Sequence, residues 1–517
     1  MTKSADMKSR ISDLWSKLAA APHTPLADLF AGDPARVEAM TRRLEWPGPE
    51  GETTGMRIDW SKTHLSPETL GLFEELSTAC GFADARESLF SGGIVNVTEG
   101  RAANHGAMRG SGTDADTEEA AALLARMGML VDAIHEGALG DVKHLIHIGI
   151  GGSALGPALA VDALTRDLAK VDVHVVSNID GLALEQAFAA CDPATTMIAV
   201  ASKTFTTIET MTNAASALAW LEKEGVDDPS GRVVALTASP EKAVAWGVDE
   251  TRILPFPESV GGRYSLWSSI GFPVALAIGM EEFREFLGGA QAIDTHFRET
   301  EGRDNAPLMA AYVDLYYSRI RDCETRAVFA YDERLNLLPD YLQQLEMESN
   351  GKSVTVDGEA VSGPTAAITW GGVGTDAQHA VFQLLHQGTR LVPVDFIASI
   401  VPGDTLDPAH HRTLLMNCLA QGAALMAGKP STDDPARAYP GDRPSTMFLL
   451  DDLDAATLGA MIAFHEHRTF ANAVLMGINP FDQFGVELGK AIANQIDAGE
   501  GTFDASTLAL MEAAGLR

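Results

Sequence analysis

Short apolar runs alternate with amphipathic stretches of helical spacing along the chain from Val142 onward. This alternation is typical of βαβ units, in which helices cover a parallel sheet. In the first such region the pattern predicts five strands, at His144–Ile150, Val171–Ser177, Thr196–Ala201, Arg232–Thr237 and Thr251–Leu254. The helices between them are predicted to begin near Gly156, Leu182, Thr206 and Pro240.

The same alternation of apolar runs and amphipathic stretches starts again near Arg326. It predicts strands at Ala327–Tyr331, Ala366–Trp370 and Leu391–Ser399, with helices beginning at Pro339 and Ala377. Two α/β halves of similar size are therefore expected.

The remaining segments flank these two halves. We predict a mostly helical and polar N-terminal extension over residues 1–125, and α/β subdomains over 126–290 and 291–480. A C-terminal helix with a polar tail is expected over 481–517. The Pro- and Asp-rich stretch Lys429–Pro444 is predicted to be a surface loop or an insertion.

Composition narrows the class of protein. The 517 residues allow roughly three folded units. A net charge of 38 − 71 = −33 disfavours nucleic-acid and anionic-membrane partners, although local cations can still bind a small anionic substrate. The four cysteines show no CxxC spacing, and neither a leader nor a membrane-length apolar run is present, so a cytoplasmic location is expected.

The stretch Ile148–Pro157, IGIGGSALGP, predicts a strand, a glycine-rich turn and a helix. Glycines let the backbone approach a ligand, and free amides at the helix start attract an anion. Gly149, Gly151 and Ala154 fit a dinucleotide loop, whereas Gly152 and Ser153 could instead hold one phosphate. A purely structural turn is the third interpretation.

The stretch Ser202–Thr207, SKTFTT, follows a buried strand and opens a helix. Its four hydroxyls and one ammonium exceed what a helix cap requires, and a phosphate could use them all. An elaborate cap is the alternative. The earlier Ser61-Lys-Thr63 lacks both the strand and the hydroxyl run.

The stretch Gly261–Ser268, GGRYSLWS, places two glycines before an arginine. Arg263 could stabilise a developing oxyanion because its charge does not titrate away. An ordinary loop with a surface ion pair is the alternative.

A fourth candidate is the helix predicted from Pro339 to its stop at Gly351. Gln344 and Glu348 are four residues apart and share a face, while Glu346 points the other way. A carboxylate at the negative end of a helix suits a general base, so Glu348 is the candidate, against the alternative of an exposed glutamate.

Two further stretches carry a candidate histidine and lysine. His379 is predicted in the first turn of a helix, where the positive pole favours a neutral imidazole that can accept a proton, whereas His386 is read as an interior histidine. Gln483 and Lys490 are seven residues apart on one helix face, although a lone lysine is usually a solvated one. No metal site is predicted, because no HExxH occurs and the histidines of His410-His411 and His465-Glu-His467 diverge.

Six motifs occur in one order: GIGGSALGP, SKTFTTIET, GGRYSLWSS, MESNGK, GTDAQHAVFQLLHQGT and FGVELGK. In this order the chain resembles the glucose-6-phosphate isomerase (phosphoglucose isomerase) family from about Asn96 to Lys490. The resemblance implies an α/β fold of two sugar-isomerase (SIS-type) subdomains, each a three-layer α/β/α sandwich on a parallel sheet, with helical N- and C-terminal extensions. It also implies a sugar-phosphate substrate, no cofactor and a homodimer with shared active sites.

The resemblance also implies roles for individual residues. Glu348 resembles the base that moves a proton between C1 and C2, and Arg263 the group that stabilises the enediolate-like intermediate. His379, supplied by the neighbouring subunit, resembles the ring-opening residue, and Lys490 would assist at the ring oxygen and hydroxyls. The implied substrate-binding residues are Gly152, Ser153, Ser202, Lys203, Thr204, Thr207, Gly262, Gln344 and Gln483. Tyr264 departs from the family, in which Phe is common at this position.

Two other functions compete with the isomerase. An oxidoreductase using a dinucleotide at Gly149–Ala154 would leave the Ser202–Thr207 run unexplained. A non-catalytic sugar-phosphate sensor would have no need of the four groups proposed for catalysis, which are Glu348, His379, Lys490 and Arg263. Aldose–ketose isomerisation, by contrast, needs one movable carboxylate, a ring-opening acid or base, and a cation for the enediolate oxygen.

Overall fold

A computed structural model describes residues 2–48, 51–166 and 168–516 and divides into two compact units, Met1–Pro480 and Phe481–Arg517. The helices of the first unit are α1 Thr2–Ala20, α2 Leu26–Gly32, α3 Arg36–Ala39, α4 Pro67–Ala79, α5 Phe82–Phe90, α6 Asp114–His135, α7 Leu155–Thr165, α8 Gly181–Ala190, α9 Ile208–Lys223, α10 Pro240–Trp246, α11 Phe272–Ile278, α12 Met280–Glu299, α13 Ala306–Leu315, α14 Leu338–Leu342, α15 Asp376–Ala380, α16 Phe382–Gln387, α17 Pro408–Ala427 and α18 Ala455–Met476.

Its eleven described strands are β1 Thr41–Pro47, β2 Thr53–Asp59, β3 His144–Ile148, β4 Asp172–Val176, β5 Thr196–Ala201, β6 Val233–Thr237, β7 Ile253–Pro255, β8 Thr325–Tyr331, β9 Ile368–Val373, β10 Val394–Ser399 and β11 Ser445–Leu450. They form two sheets.

The first sheet has the order β4-β3-β5-β6-β7 and is parallel throughout. Its strands are short apolar runs because helices shield them from water; Ile146, Ile148, Ile198 and Val200 are buried among α8 and α9. The chain leaves β3 to form β4 on one side and returns to form β5 on the other. The carboxyl ends of β3 and β5 therefore border a topological switch point, where open α/β sheets bind their ligands.

The second sheet has the order β1-β2-β11-β10-β8-β9. Strands β11, β10, β8 and β9 are parallel, while the β1–β2 hairpin is antiparallel and joins β11 antiparallel at the edge. The molecule thus has the expected α/β fold with two parallel-stranded sheets, the second of them extended by a hairpin.

The hairpin lies within residues 1–125, which the sequence predicts to be mostly helical, and β11 lies where the sequence predicts no strand. Strand β1 is rich in charge, and its alternation of buried and exposed residues is short, so it lacks the apolar run that marks the central strands. The helix predicted from Ala377 is likewise two short helices, α15 and α16. The ends of the predicted strands differ from the observed ends by up to three residues in either direction. The boundaries of the four predicted domains remain predictions.

Two long helices, α12 and α18, pack closely against each other. A Cβ at Gly289 would overlap the carbonyl of Ala456, and one at Gly459 would overlap that of Phe286, so only glycine permits this approach. Buried charges complete the interface: Arg109 binds Asp294 of α12 in a bidentate pair at 2.7 Å and also contacts Glu466 of α18. Because each of these charges has a partner, their burial is tolerated.

The second unit contains α19 Glu487–Asp497 and α20 Ala505–Ala513. Helix α20 lies in the segment that the sequence predicts to be a polar tail, and Asp504 caps it by accepting hydrogen bonds from Ser506 N and Thr507 N. Within the described ranges, no helix combines the length and the apolar character that crossing a bilayer requires.

Candidate active site

The glycine-rich turn after β3 forms the floor of the candidate site. Gly151 adopts φ +56°, a left-handed conformation that favours glycine, and α7 begins without a side-chain cap. His147 supports the turn from below, with its Nε2 2.7 Å from the Ser153 carbonyl, and burial lowers the pKa of His147 to about 4. The neutral imidazole therefore acts as the donor, and the amides at the start of α7 remain available to an anion.

The hydroxyl-rich turn after β5 lies at the neighbouring strand end. Helix α9 begins after Thr207 without a side-chain cap, because the Thr207 hydroxyl instead lies 3.0 Å from that of Ser202. Phe205 holds φ +52°, an unusual conformation for a residue with a side chain. The run is therefore not an elaborate cap, and strain of this kind is common where backbone is shaped to bind a ligand.

Lys203 connects this turn to the segment that precedes Gly261. Its Nζ donates to the carbonyls of Glu258 at 2.6 Å and Val260 at 3.1 Å. Burial, and then repulsion from Arg101, lowers the pKa of Lys203 to about 8. Two of the three ammonium donors are thus used within the protein.

Arg263 is buried at the centre of the site. Its Nε donates to Ser349 Oγ at 2.6 Å, Nη2 donates to the Pro480 carbonyl, and Nη1 lies 3.3 Å from Glu348 Oε2. The Arg263 side chain is 1% exposed, whereas that of Glu348 is 19% exposed. This excludes the surface ion pair and leaves a fixed cation beside a carboxylate that solvent can reach.

Glu348 ends a wide helical turn over Gln343–Glu348 that continues from α14. Turns of this π type are rare and frequently occur at functional sites. The helical conformation continues to Asn350, and the ammonium of Lys352 donates to the carbonyls of Glu348 at 2.7 Å and Ser349 at 2.8 Å. The lysine thereby satisfies carbonyls that the helix end leaves unpaired.

The opposite face of this turn is anchored to the second sheet. Glu346 accepts hydrogen bonds from Arg326 and from Thr369 Oγ1, the latter at 2.7 Å. Arg326 also contacts Asp395 of β10. Because Glu346 is two residues from Glu348, this anchor fixes the orientation of the turn that carries Glu348.

Close contacts bring the predicted motifs together. A Cβ at Gly152 would overlap the backbone of Gly262, so the glycine-rich turn rests directly on the turn that carries Arg263. A Cβ at Gly151 would lie 3.0 Å from Gln344 Nε2. Two strand-to-helix turns, the Arg263 turn and the Glu348 turn therefore converge at the switch point of the first sheet.

The contacts described above do not include three of the predicted residues. His379 is exposed on α15. Within the described residues, no hydrogen bond or ion pair joins it to Arg263, Glu348 or Gln344. Gln483 and Lys490 belong to the second unit, where both side chains are exposed. Their roles remain predictions. Thr204 is exposed, with its hydroxyl 2.8 Å from that of Thr206.

The structure adds supporting residues that sequence reasoning missed. Ser349 Oγ accepts from Arg263 and lies 2.9 Å from the hydroxyl of Tyr264, the residue that replaces the common Phe. The ring of His105 stacks on Tyr264 at 4.7 Å, and burial raises the pKa of Tyr264. Ser349 lies within the MESNGK motif, so proximity in sequence was the available signal. Nothing in the sequence pairs His105 or His147 with the site.

Comparisons with known proteins find relatives over almost the whole chain. The sequence model of the family described as "Phosphoglucose isomerase" matches residues 59–511. A glucose-6-phosphate isomerase from Erythrobacter litoralis (strain HTCC2594) is 69% identical, with 99% of this chain and 100% of the relative covered. One from Zymomonas mobilis subsp. mobilis (strain ATCC 31821 / ZM4 / CP4) is 57% identical, with 98% of each covered. The crystal structure of a glucose-6-phosphate isomerase from Chlamydia trachomatis superposes with a TM-score of 0.87 at 28% identity, covering 98% of this chain and 99% of the other.

Proposed function

The chain belongs to the phosphoglucose isomerase family, and from this premise we propose that Glu348 carries the proton between C1 and C2 of the sugar phosphate. The activity is that of an aldose–ketose isomerase, which interconverts glucose 6-phosphate and fructose 6-phosphate. The dinucleotide oxidoreductase is set aside, since the family carries out an isomerisation without net redox change.

One observation carries the proposal: Glu348 Oε2 lies 3.3 Å from Arg263 Nη1, and the turn that carries Arg263 rests on the glycine-rich turn before α7. The isomerisation removes a proton from C2 of the open-chain aldose and returns it to C1 through a cis-enediolate. One carboxylate can perform both transfers if the two carbons are held within its reach.

Arg263 supplies the positive charge in this mechanism. It is buried and held by Ser349 and Pro480, so it need not reorganise when negative charge develops on the enediolate oxygen. Gln344, beside Gly151, lines the same space and would orient the sugar hydroxyls.

The phosphate would bind between the two strand-to-helix turns. The amide of Gly152 and the hydroxyls of Ser153, Ser202, Thr204 and Thr207 offer donors there, and the positive ends of α7 and α9 lie at the same turns. Lys203 adds a cation near this group, and Gly262 supports the floor from the neighbouring turn. Binding energy from the phosphate would then position C1 and C2.

Three residues complete the proposed site from elsewhere. His379, whose side chain is exposed on α15, would open the ring of a substrate bound to a neighbouring subunit, which requires a homodimer. Lys490 would assist at the ring oxygen, and Gln483 would contact the sugar. We further propose that the enzyme acts in the cytoplasm and needs no cofactor for the isomerisation.

The test is the Glu348→Gln variant in a coupled assay of fructose 6-phosphate isomerisation. We expect kcat to fall by at least roughly 100-fold, because general acid–base catalysis contributes about 10²- to 10⁴-fold, while substrate still binds. Asp340→Asn is the matched control, since it neutralises an exposed carboxylate on α14 of the same helical run. A Glu348→Gln enzyme within a few-fold of the wild type would remove Glu348 from this role.

A further inference from the structure

Three metal-ligating side chains meet at the amino end of the first sheet, away from the carboxyl ends that border the candidate active site. They are His144 at the start of β3, His174 within β4, and Cys191, which directly follows α8. One ligand atom of each lies within 4.8 Å of the other two. His174 is level with Ile146 in the parallel register, so both imidazoles lie on the face of the sheet that α8 covers.

Each of the two imidazoles has one buried ring nitrogen without a hydrogen-bond partner in the described ranges. These atoms are His144 Nδ1 and His174 Nε2. Their rings are 5.9 Å apart at the centroids. Buried polar atoms are nearly always satisfied in native proteins, so two unsatisfied nitrogens on imidazoles that lie beside a buried cysteine outside any disulfide call for an explanation.

We propose that His144, His174 and Cys191 bind a divalent metal ion of borderline softness, with zinc(II) as the best fit. Two imidazole nitrogens and one thiolate are a donor set typical of tetrahedral zinc. In such a site the ligand atoms lie about 3.3–3.6 Å apart, so small side-chain rotations would close the present spacing. Asp172, whose Oδ2 is 3.8 Å from His144 Nδ1 and whose side chain is 65% exposed, offers the fourth ligand.

A second histidine cluster in the described chain does not fit a metal as well. His23, His64 and Asp442 also bring their ligand atoms within reach of one another. However, His64 already pairs with Tyr317 and Asp442, and the Arg321 guanidinium contacts His23. These groups are satisfied, and a nearby guanidinium opposes a second cation.

The position of the proposed ion indicates a structural role. It would join β3, the edge strand β4 and the end of α8, at the end of the strands opposite the Gly149–Ser153 turn. Sequence spacing cannot reveal this site, because its ligands come from three separate elements, and the sequence accordingly predicts no metal. The inference is independent of the proposed roles of Glu348 and Arg263.

Titration of the metal-free, full-length enzyme with cobalt(II) alone tests the proposal. Cobalt(II) replaces zinc(II) in tetrahedral sites, and its bonds to thiolate give a near-ultraviolet charge-transfer band with intense visible absorption. We expect saturation at one equivalent per chain, with zinc(II) displacing the cobalt. The charge-transfer band should disappear in Cys191→Ser and persist in Cys323→Ser, a control at another buried free cysteine.

A second variant keeps the test decisive if Cys191→Ser folds poorly. The His174 side chain is only partly buried, so His174→Gln should fold. It should weaken cobalt affinity by roughly tenfold or more, since even loss of a group that hydrogen-bonds a metal ligand costs about 10- to 100-fold in metal affinity. His64→Gln, from the other cluster, should leave cobalt affinity unchanged. Isomerase activity should survive chelation, while the melting temperature should rise when the metal is restored.

Three results would overturn the proposal. They are the absence of saturable cobalt binding, a charge-transfer band that persists in Cys191→Ser, and cobalt affinity that His64→Gln weakens and His174→Gln does not.

Discussion

At the scale of single residues, Lys203 combines a proposed phosphate contact with a lowered ammonium pKa. Burial, with the charge of Arg101, lowers its pKa to about 8 from 10.5, so the free enzyme loses this charge as the pH rises through about 8. We therefore expect kcat/KM to fall above about pH 8, mainly through a higher KM, because kcat/KM reports ionisations of the free enzyme.

The Lys203→Arg variant provides the control for this pH profile. A guanidinium stays protonated across the range, so the decline above about pH 8 should disappear from log(kcat/KM). A wild-type profile that is flat to about pH 10, or a decline that persists unchanged in Lys203→Arg, would contradict a role for the Lys203 charge in binding.

Ser202 and Thr207 give a second prediction at this scale, since their hydroxyls lie 3.0 Å apart at the uncapped start of α9. A hydrogen bond to a charged group contributes about 1.5–3 kcal/mol, so Ser202→Ala or Thr207→Val should raise KM roughly 10- to 100-fold with less effect on kcat. Steady-state kinetics with Thr212→Ala, an exposed change on the same helix, provides the comparison. An unchanged KM would move the phosphate site elsewhere.

The sequence indicates residue types more readily than it indicates contacts. The pairing of Gln344 with Glu348 on one face follows from helical spacing, and both lie on the turn that reaches the site. By contrast, the support that His147 gives to Ser153 and the stacking of His105 on Tyr264 depend on tertiary approach. Local pattern carries no information about such approaches.

At the scale of elements, the turn Gln343–Glu348 is held between the active site and the second sheet. Glu346→Gln removes the negative charge of the carboxylate that accepts hydrogen bonds from Arg326 and Thr369. We expect the turn that carries Glu348 to shift slightly as a result. Because small misplacements of a reacting group can cost up to about 100-fold, kcat should fall roughly 10- to 100-fold with KM little changed.

Two further variants separate positioning from general destabilisation. Glu346→Asp, which keeps the charge, should recover part of kcat. Glu74→Gln, a change on α4 that breaks a carboxylate–arginine pair with Arg303, should leave kcat unchanged. Equal losses in Glu346→Gln and Glu74→Gln, or a rise in KM alone, would contradict the positioning role.

Elements with a continuous apolar run were the most predictable. Strand β5 matches its prediction at both ends, because it is buried on both faces and bounded by polar turns. The hairpin β1–β2 and strand β11 escaped prediction because β1 carries three charged residues and β11 follows a Pro- and Asp-rich loop. The hairpin joins the second sheet because β2 pairs with β11 from Met56 to Asp59. The hydrophobic periodicity of a single strand does not encode its pairing with a strand distant in the sequence.

At the scale of the whole molecule, the proposed active site draws on two subunits, because we propose that the exposed His379 of one subunit serves the site of its neighbour. Glu348→Gln and His379→Asn should each be nearly inactive alone. Unfolded together and refolded as a mixture, they should recover about a quarter of wild-type activity, because half of the dimers are mixed and each mixed dimer has one intact site of two. If both residues acted within one subunit, no activity would return.

The most direct test of the central claim follows hydrogen rather than product. In deuterated water, the wild-type enzyme should place deuterium from solvent at C1 of fructose 6-phosphate, because the carboxylic acid of Glu348 exchanges its proton with solvent between the two transfers. In Glu348→Gln this incorporation should fall by the same factor as isomerisation, while the substrate still binds. Incorporation at the wild-type rate in Glu348→Gln would show that another group removes the proton.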